Sequence, residues 1–281
     1  MTRYDGIAPA LLRRFLGAYL LVHFAMLLPW CAELFSAAGM MEAAASPLRR
    51  AFPSLLFWID TPAAAGALVG AGVGASLLLV VDHPARRPAA WLLWFVLACL
   101  FARNPLIRNP SLPFVGLLLI AEGMGGGAVY RKRVLWAVLA IGYAYSGLTK
   151  LASPSWLDGT AVTAILENPL ARPTALRAWL LDLPHGFRAA ASYGTLVLEI
   201  AFPLLAASKR GRAFAWTAMT GLQLSLLVLI DFADLTWGML IMHLYVFELR
   251  WLGAPLRRWL EGFRRRRLAR AQFPSDAKTK G

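Results

Sequence analysis

The apolar residues of this chain are gathered into long runs that are separated by short polar segments. A membrane-spanning helix needs roughly 20 mainly apolar residues to cross a hydrocarbon core of about 30 Å. Eight runs approach this length, although Pro88 and Arg103 keep the third one short. The pattern predicts an all-α fold, a polytopic membrane helix bundle with about eight transmembrane helices. The predicted spans are Phe15–Phe35, Ala63–Val81, Ala89–Ala102, Pro113–Tyr130, Val134–Leu151, Ala189–Ala207, Ala213–Ile230 and Leu235–Leu252.

The composition favours a lipid environment over water. Hydrophobic residues make up 59% of the chain and charged residues only 16%, whereas about a quarter of a soluble domain is charged. The net charge is +14, but the basic residues lie in small clusters between apolar runs. That arrangement is typical of membrane topogenesis, so we exclude nucleic acid as a partner.

The basic residues also predict an orientation. With eight spans, 21 of the 29 Lys and Arg residues fall on the side that holds both termini. Positively charged loops stay on the cytoplasmic side, which predicts a multi-pass protein of the cell membrane with both termini in the cytoplasm. The other eight basic residues are Arg49, Arg50, Arg103, Arg108, Lys150, Arg172, Arg177 and Arg188.

The sequence divides into two parts, a transmembrane bundle over residues 1–252 and a basic amphipathic cytoplasmic tail over 253–281. Apolar residues in the tail recur at helical spacing among arginines, which predicts a helix bound to the anionic lipids of the inner leaflet. These apolar residues are Leu256, Trp259, Leu260 and Phe263, and the arginines are Arg257, Arg258 and Arg264–Arg267.

Charged groups at membrane depth indicate function or an internal partner, because burying them costs several kcal/mol. Lys150 closes an apolar run, and in an apolar pocket its neutral amine would act as a base. The alternative is a lysine whose ammonium simply extends to the outer water layer. The other polar candidates are Glu33, Glu122, Glu199 and Glu248, together with His23 and His243.

Glu199 lies in mid-span beside Pro203, which removes a backbone hydrogen bond and favours a kink. It could pair with Lys150 or His243, or form only a polar contact between helices. His23 and His243 each stand alone on an apolar face, which is typical of a hydrogen-bonded core histidine. No two histidines lie one helical turn apart, so no metal site is predicted.

Two long connections, Ser36–Pro62 and Ala152–Arg188, are predicted on the outer side, where functional loops are often found. In the second connection, Asp158 precedes Gly159 and is placed to cap a short helix. Asp234 is predicted to cap the helix of the last span in the same way.

Three segments carry a resemblance to a known family. The run Tyr-Ser-Gly-Leu-Thr-Lys-Leu at 145–151, followed by Ser-Trp-Leu-Asp-Gly-Thr-Ala-Val at 155–162, resembles the signature of the HTTM family. This family is the transmembrane domain shared with vitamin K-dependent gamma-carboxylase. Residues 103–116 and 231–243 also resemble bacterial members, so the resemblance covers most of the chain.

The resemblance implies chemistry on a quinone-like lipid cofactor at the extracytoplasmic face. In the carboxylase a lysine ahead of a Trp-x-x-Gly element is the base, and that lysine matches Lys150. The carboxylase has an Asn-His pair where this chain has Asn109-Pro110, and only the basic tail follows Leu252, so glutamate carboxylation is not expected. The candidate catalytic residues are Lys150, Glu199 and His243, and the candidate substrate-binding residues are Trp156, Asp158, Gly159 and Asn109.

Two functions follow from these observations. The first is a membrane enzyme that uses Lys150 as a base on a lipophilic, quinone-like substrate. The second is a non-catalytic accessory protein that assists maturation or export of a secreted peptide or a membrane partner through the two outer loops. A transporter would need broken helices at matching places in two halves, and Pro203 has no counterpart.

Overall fold

The computed structural model describes residues 6–107, 109, 111–231 and 233–252. Within this part of the chain the regular structure is helical, and a single isolated bridge joins Ala171 and Ile230. Short 3-10 turns connect several of the helices. The α-helices are α1 (Pro9–Leu27), α2 (Cys31–Phe35), α3 (Pro62–Val80), α4 (Arg86–Arg103), α5 (Leu112–Gly123), α6 (Ala128–Lys150), α7 (Pro154–Leu157), α8 (Ala161–Glu167), α9 (Ala175–Asp182), α10 (His185–Ala207), α11 (Lys209–Leu229) and α12 (Ala233–Val246).

The all-α prediction is confirmed, whereas the count of eight spans is not. Among the described residues, four helical segments are long and apolar enough to cross a membrane: Pro9–Phe35, which joins α1 and α2, and the helices α3, α10 and α11. Shorter apolar helices cover Leu112–Gly123 and Thr236–Val246. These apolar helices are consistent with an integral membrane protein.

Two predicted span boundaries are wrong. The fourth predicted span, Pro113–Tyr130, is interrupted because α5 ends at Gly123 and α6 begins at Ala128. Gly125 makes the turn with a φ of 68°, a conformation that glycine adopts without a steric penalty. Tyr130 therefore belongs to the next helix.

The last predicted span, Leu235–Leu252, ends too late. Helix α12 stops at Val246, and Glu248 has an extended backbone with φ −121° and ψ 122°. Its carboxylate lies 3.3 Å from Nζ of Lys132 on α6, so an ion pair holds the chain where the apolar pattern predicts continued helix. The predicted amphipathic tail lies outside the described residues.

Small residues let the first spans pack closely. A Cβ atom on Gly17 of α1 would lie 2.7 Å from the backbone nitrogen of Val80, next to α3. A Cβ atom on Gly72 of α3 would lie 2.8 Å from the ring of Phe24. Close approach through glycine is a common way for membrane helices to pack. Helix α6 packs mainly on α10, and α4 packs on α3 and α5.

The bundle has two chemically different ends. At one, here called the arginine end, Arg13 donates to Asp82 at 2.8 Å and Arg131 lies 3.3 Å from Glu122. The opposite end, here called the loop end, carries the long connections 36–61 and 151–184. Helix α6 runs from the arginine end to the loop end and places Lys150 there.

Candidate functional site

Lys150 and Glu199 form an ion pair at the loop end. The Lys150 Nζ atom lies 2.5 Å from Oε2 of Glu199 and 2.7 Å from Oγ of Ser146. The side chain of Lys150 is 20% exposed and that of Glu199 is 6% exposed. The amine therefore does not extend freely into solvent, as the alternative of a lysine that simply reaches a water layer would require.

The helices α6 and α10 set this geometry. Tyr143, Ser146 and Lys150 are spaced three, four and seven residues apart, so they share one face of α6. Gly147 lies beside them and brings α10 close, because a Cβ atom there would lie 3.0 Å from the backbone nitrogen of Ile200 and 3.1 Å from Cβ of Glu199. The close contact between the helices at Gly147 thus places Glu199 next to Lys150.

Trp156 covers the ion pair from the connection that follows α6. The Lys150 Nζ atom lies 5.0 Å from the centroid of the Trp156 ring, within the range in which an ammonium group is attracted to an aromatic face. Trp156 is held on the four-residue helix α7. The lysine is therefore placed between a carboxylate, a hydroxyl group and an indole ring.

Gly159 fixes the connection against α10. Its φ is 79°, and a Cβ atom there would lie 2.9 Å from Cβ of Ala189. The Ser192 hydroxyl donates to the Gly159 carbonyl at 3.1 Å, and the Tyr193 hydroxyl donates to the Leu157 carbonyl at 3.0 Å. Gly159 thus shapes the loop that carries Trp156.

Asp158 points away from the ion pair and organises its own turn. Its Oδ1 atom accepts hydrogen bonds from the backbone nitrogen and the hydroxyl of Thr160, at 2.9 and 2.6 Å. The hydrogen bond from the Thr160 hydroxyl lowers the pKa of the Asp158 carboxyl below its usual range. The residue that precedes α8 is Thr160, so the prediction that Asp158 is the cap is wrong by two positions.

His243 lies apart from the ion pair, in the core of the bundle. Its Nδ1 atom is 2.8 Å from the Met239 carbonyl, and its Nε2 atom is 3.3 Å from the Tyr143 hydroxyl. Gln223 also donates to that hydroxyl, at 3.3 Å. Because the carbonyl can only accept, Nδ1 carries the proton and Nε2 accepts from Tyr143. His243 makes no contact with Lys150 or Glu199 among the interactions of the described residues.

Asn109 belongs to a second polar cluster at the loop end. Its Nδ2 atom donates to Oδ2 of Asp234 at 2.7 Å, and the same oxygen lies 3.2 Å from Nδ1 of His23. Asp234 lies inside the first turn of α12, so its predicted role as the N-cap is wrong. Its carboxylate instead joins α1, α12 and the segment before α5. The structure does not bring Asn109 to Lys150.

The remaining charged residues of the apolar runs are mostly paired. Glu122 lies 3.3 Å from Arg131 and 3.9 Å from Arg13, and Glu248 pairs with Lys132 and Arg250. Glu33 is exposed near the loop end. These ion pairs account for the cost of burying charge without implying chemistry.

Two residues beside Lys150 and one contact of His23 were not predicted from the sequence. Ser146 and Tyr143 share the Lys150 face of α6, and their three-, four- and seven-residue spacing was a signal that could have found them. The contact of His23 with Asp234 had no such signal, because 211 positions separate the two residues in sequence.

Known protein families, curated proteins and solved structures offer no match to this chain. The resemblance to the HTTM family therefore stays a prediction. The function proposed for this chain rests on the geometry of the Lys150–Glu199 site.

Proposed function

We propose that this chain is an integral membrane enzyme, similar to the HTTM family, that moves a proton to and from a hydroxyl group of a lipophilic, quinone-like substrate. In this proposal the bundle has about eight spans, both termini are cytoplasmic, and the loop end faces outward. The observation that carries the proposal is the 2.5 Å contact between Lys150 and Glu199 beneath Trp156.

The pair can act as a base because it shares one removable proton. In the ion pair, the Lys150 ammonium donates to the Glu199 carboxylate. When the pair loses that proton to water, a neutral amine lies beside a carboxylate. The amine then takes the proton from a substrate O–H, so that the O–H bond breaks, an N–H bond forms and the ion pair returns. The substrate leaves this step as an oxyanion next to an ammonium group, which stabilises it.

The surroundings of Lys150 limit its contact with water. Tyr145 and Leu148 lie on the same last turns of α6 and are 70% and 58% exposed. Helical spacing puts them on the side of α6 opposite Lys150, so that side contacts the surroundings while Lys150 faces α10. The Trp156 ring covers the amine from the connection that follows α6. It restricts the access of bulk water, which strengthens electrostatic interactions within the site.

The experiment uses the purified protein in lipid nanodiscs with a reduced naphthohydroquinone and dissolved oxygen. Loss of a proton speeds the transfer of two electrons from hydroquinone to oxygen, which yields quinone and hydrogen peroxide. Lys150→Met is expected to lower the protein-dependent rate by about 100-fold, the lower range for a general base. Lys132→Met, which breaks the other lysine–glutamate pair of α6, is the matched control and should retain the rate. Equal rates in both variants would contradict the proposal.

A non-catalytic accessory role is the second candidate, and the exposed aromatic residues of the loop end favour it. Trp58, Trp179 and Phe187 are more than half exposed, all on or beside the long connections. Such side chains would contact a secreted peptide or a membrane partner. A partner that stays bound equally well to wild type and Lys150→Met, together with no rate difference in the hydroquinone assay, would favour this function.

A further inference from the structure

The second polar cluster of the loop end, formed by His23, Asn109 and Asp234, adjoins an apolar cavity. This cavity has a volume of about 270 Å³ and lies between α4, the start of α5 and the connection 36–61. Its walls include Phe52, Trp94 and Gly116. The volume is close to the lower limit of about 300 Å³ for a small-molecule pocket.

A smaller cavity of about 40 Å³ continues from it toward His23. The two cavities share Leu97, Phe101 and Leu112 in their walls, so these side chains form the boundary between them. Apart from His23, the polar side chain in the wall of the smaller cavity is that of Asn104. Asn104 is already engaged, because its amide donates to the Leu34 carbonyl and its oxygen accepts from the Leu106 nitrogen.

His23 presents a hydrogen-bond acceptor at this place. Its Nδ1 atom faces the Asp234 carboxylate at 3.2 Å, and an ionised carboxylate can only accept, so Nδ1 carries the proton in the neutral ring. The Nε2 atom is then an acceptor, and it has no hydrogen-bond partner among the described residues. Asn109 fixes the carboxylate by donating to it at 2.7 Å. Asn109 thus holds Asp234, and Asp234 holds the His23 ring with Nε2 free to accept a hydrogen bond from a ligand.

We infer that the two cavities bind a single-chain amphiphile from the surrounding membrane, with a hydroxyl head group that donates to His23 and an alkyl chain that fills the apolar cavity. The walls match such a chain, since they are almost entirely apolar, and the polar end matches a donor because Nε2 of the neutral His23 ring is an acceptor. A head group without an O–H or N–H donor would leave that nitrogen unpaired. The site is separate from Lys150 and does not rest on the function proposed above.

The first test compares two photoreactive probes on the full-length wild-type chain in nanodiscs: a diazirine-bearing dodecanol and its methyl ether. Peptide mass spectrometry locates the cross-links. We expect them to concentrate on α4, α5 and the connection 36–61, with the alcohol preferred by about ten-fold, the effect of one hydrogen bond to a buried acceptor. Labelling spread evenly over the lipid-facing surface, or equal labelling by the two probes, would overturn the inference without any variant.

Two variants test separately the cavity that holds the alkyl chain and the histidine that binds the head group. Ala98→Phe fills the apolar cavity and should lower labelling by both probes on α4 and α5 by about ten-fold. His23→Phe keeps the ring and removes the acceptor, so the preference for the alcohol should vanish while labelling persists. The matched control is His185→Phe, at the exposed start of α10, which should keep the wild-type preference. An unchanged preference in His23→Phe would contradict the role of His23. If that variant does not fold, the comparison of the two probes on the wild-type chain still tests the inference.

Discussion

Helix α6 carries a lysine–glutamate pair at each of its ends, and the two pairs differ in their surroundings. At the arginine end, Lys132 lies 3.3 Å from Glu248, donates to the Phe247 carbonyl at 3.2 Å and shares the carboxylate with Arg250. At the loop end, Lys150 meets Glu199 at 2.5 Å, and among the described residues a hydroxyl group and an indole ring lie beside it.

The two pairs differ in how many cations contact the carboxylate, and the proposed function assigns proton transfer to the loop-end pair alone. Two cations, Lys132 and Arg250, share the Glu248 carboxylate. At the loop end one cation faces one anion, so loss of the Lys150 proton leaves the Glu199 carboxylate without its cation, and in the proposed reaction the proton taken from the substrate restores the pair. The number of partners, and not the residue types, distinguishes the two ends.

Charge reversal should have the largest effect. Lys150→Glu places two carboxylates together, and breaking a buried pair typically costs about 3–5 kcal/mol. The double variant Lys150→Glu with Glu199→Lys should recover most of the free energy of unfolding. Lys132→Glu should cost less, because Arg250 remains beside Glu248. Unfolding of the detergent-solubilised variants measures these values, and a double variant as unstable as the sum of its single changes would contradict the pairing.

The close approach at Gly147 offers a second way to separate the loop-end pair. Gly147→Ala forces its Cβ against the backbone of Ile200 and should lower the free energy of unfolding by about 1–3 kcal/mol, as overpacking does. Gly194→Ala on α10 is the matched control, since nothing lies within 4 Å of its Cβ position, and it should gain up to about 1 kcal/mol in helix propensity. Equal effects of the two substitutions would rule out the close packing of α6 on α10.

The arginine end should respond to acid through Asp82. The hydrogen bond from Arg13 lowers the pKa of the Asp82 carboxyl from its usual 3.8. Its contribution to the free energy of unfolding is therefore fully present at pH values above 3.8. It is lost as the pH falls through the lower pKa of the folded state. Asp82→Asn should lower the free energy of unfolding by about 1 kcal/mol or less near neutral pH. The melting temperature of this variant should also fall less steeply than that of the wild type as the pH is lowered. A variant whose melting temperature falls as steeply as that of the wild type would contradict this role.

The smallest change concerns the cover of the loop-end pair. Trp156→Leu removes the aromatic face over Lys150 and should cost about 0.5–1 kcal/mol, with faster reaction of Lys150 toward a water-soluble amine reagent. Lys132 provides the internal reference, and its reactivity should stay constant. Unaltered reactivity of Lys150 would mean that Trp156 does not shield the amine.

Periodicity and composition were enough to predict an all-helical membrane protein, because long apolar runs have few alternatives. They missed the break between α5 and α6, since Gly123 and Gly125 do not lower hydrophobicity although they permit a turn. The end of α12 was missed for a different reason. Glu248 is held outside the helix by a residue distant in sequence, Lys132 on α6.

The candidate site was predictable only in its residue types. Lys150 and Glu199 attract attention because each is a charge in an apolar run, but their contact spans 49 positions and depends on how α6 packs against α10. The predicted grouping with His243 and Asn109 is absent from the contacts of the described residues. His243 faces Tyr143 in the core, and Asn109 faces Asp234. Helix arrangement decides such groupings, and a single sequence does not encode it in any local pattern.

The most direct test of the proton-transfer account is the absorption spectrum of an alkyl naphthol bound to the protein at neutral pH. A naphthol O–H is phenolic, like that of tyrosine with its usual pKa of about 10, so the free probe is neutral, and its anion absorbs at longer wavelength. The account predicts the anion band in wild type and in Lys132→Met, and its loss in Lys150→Met. A bound probe that stays neutral in wild type, or an anion band that survives in Lys150→Met, would contradict the account.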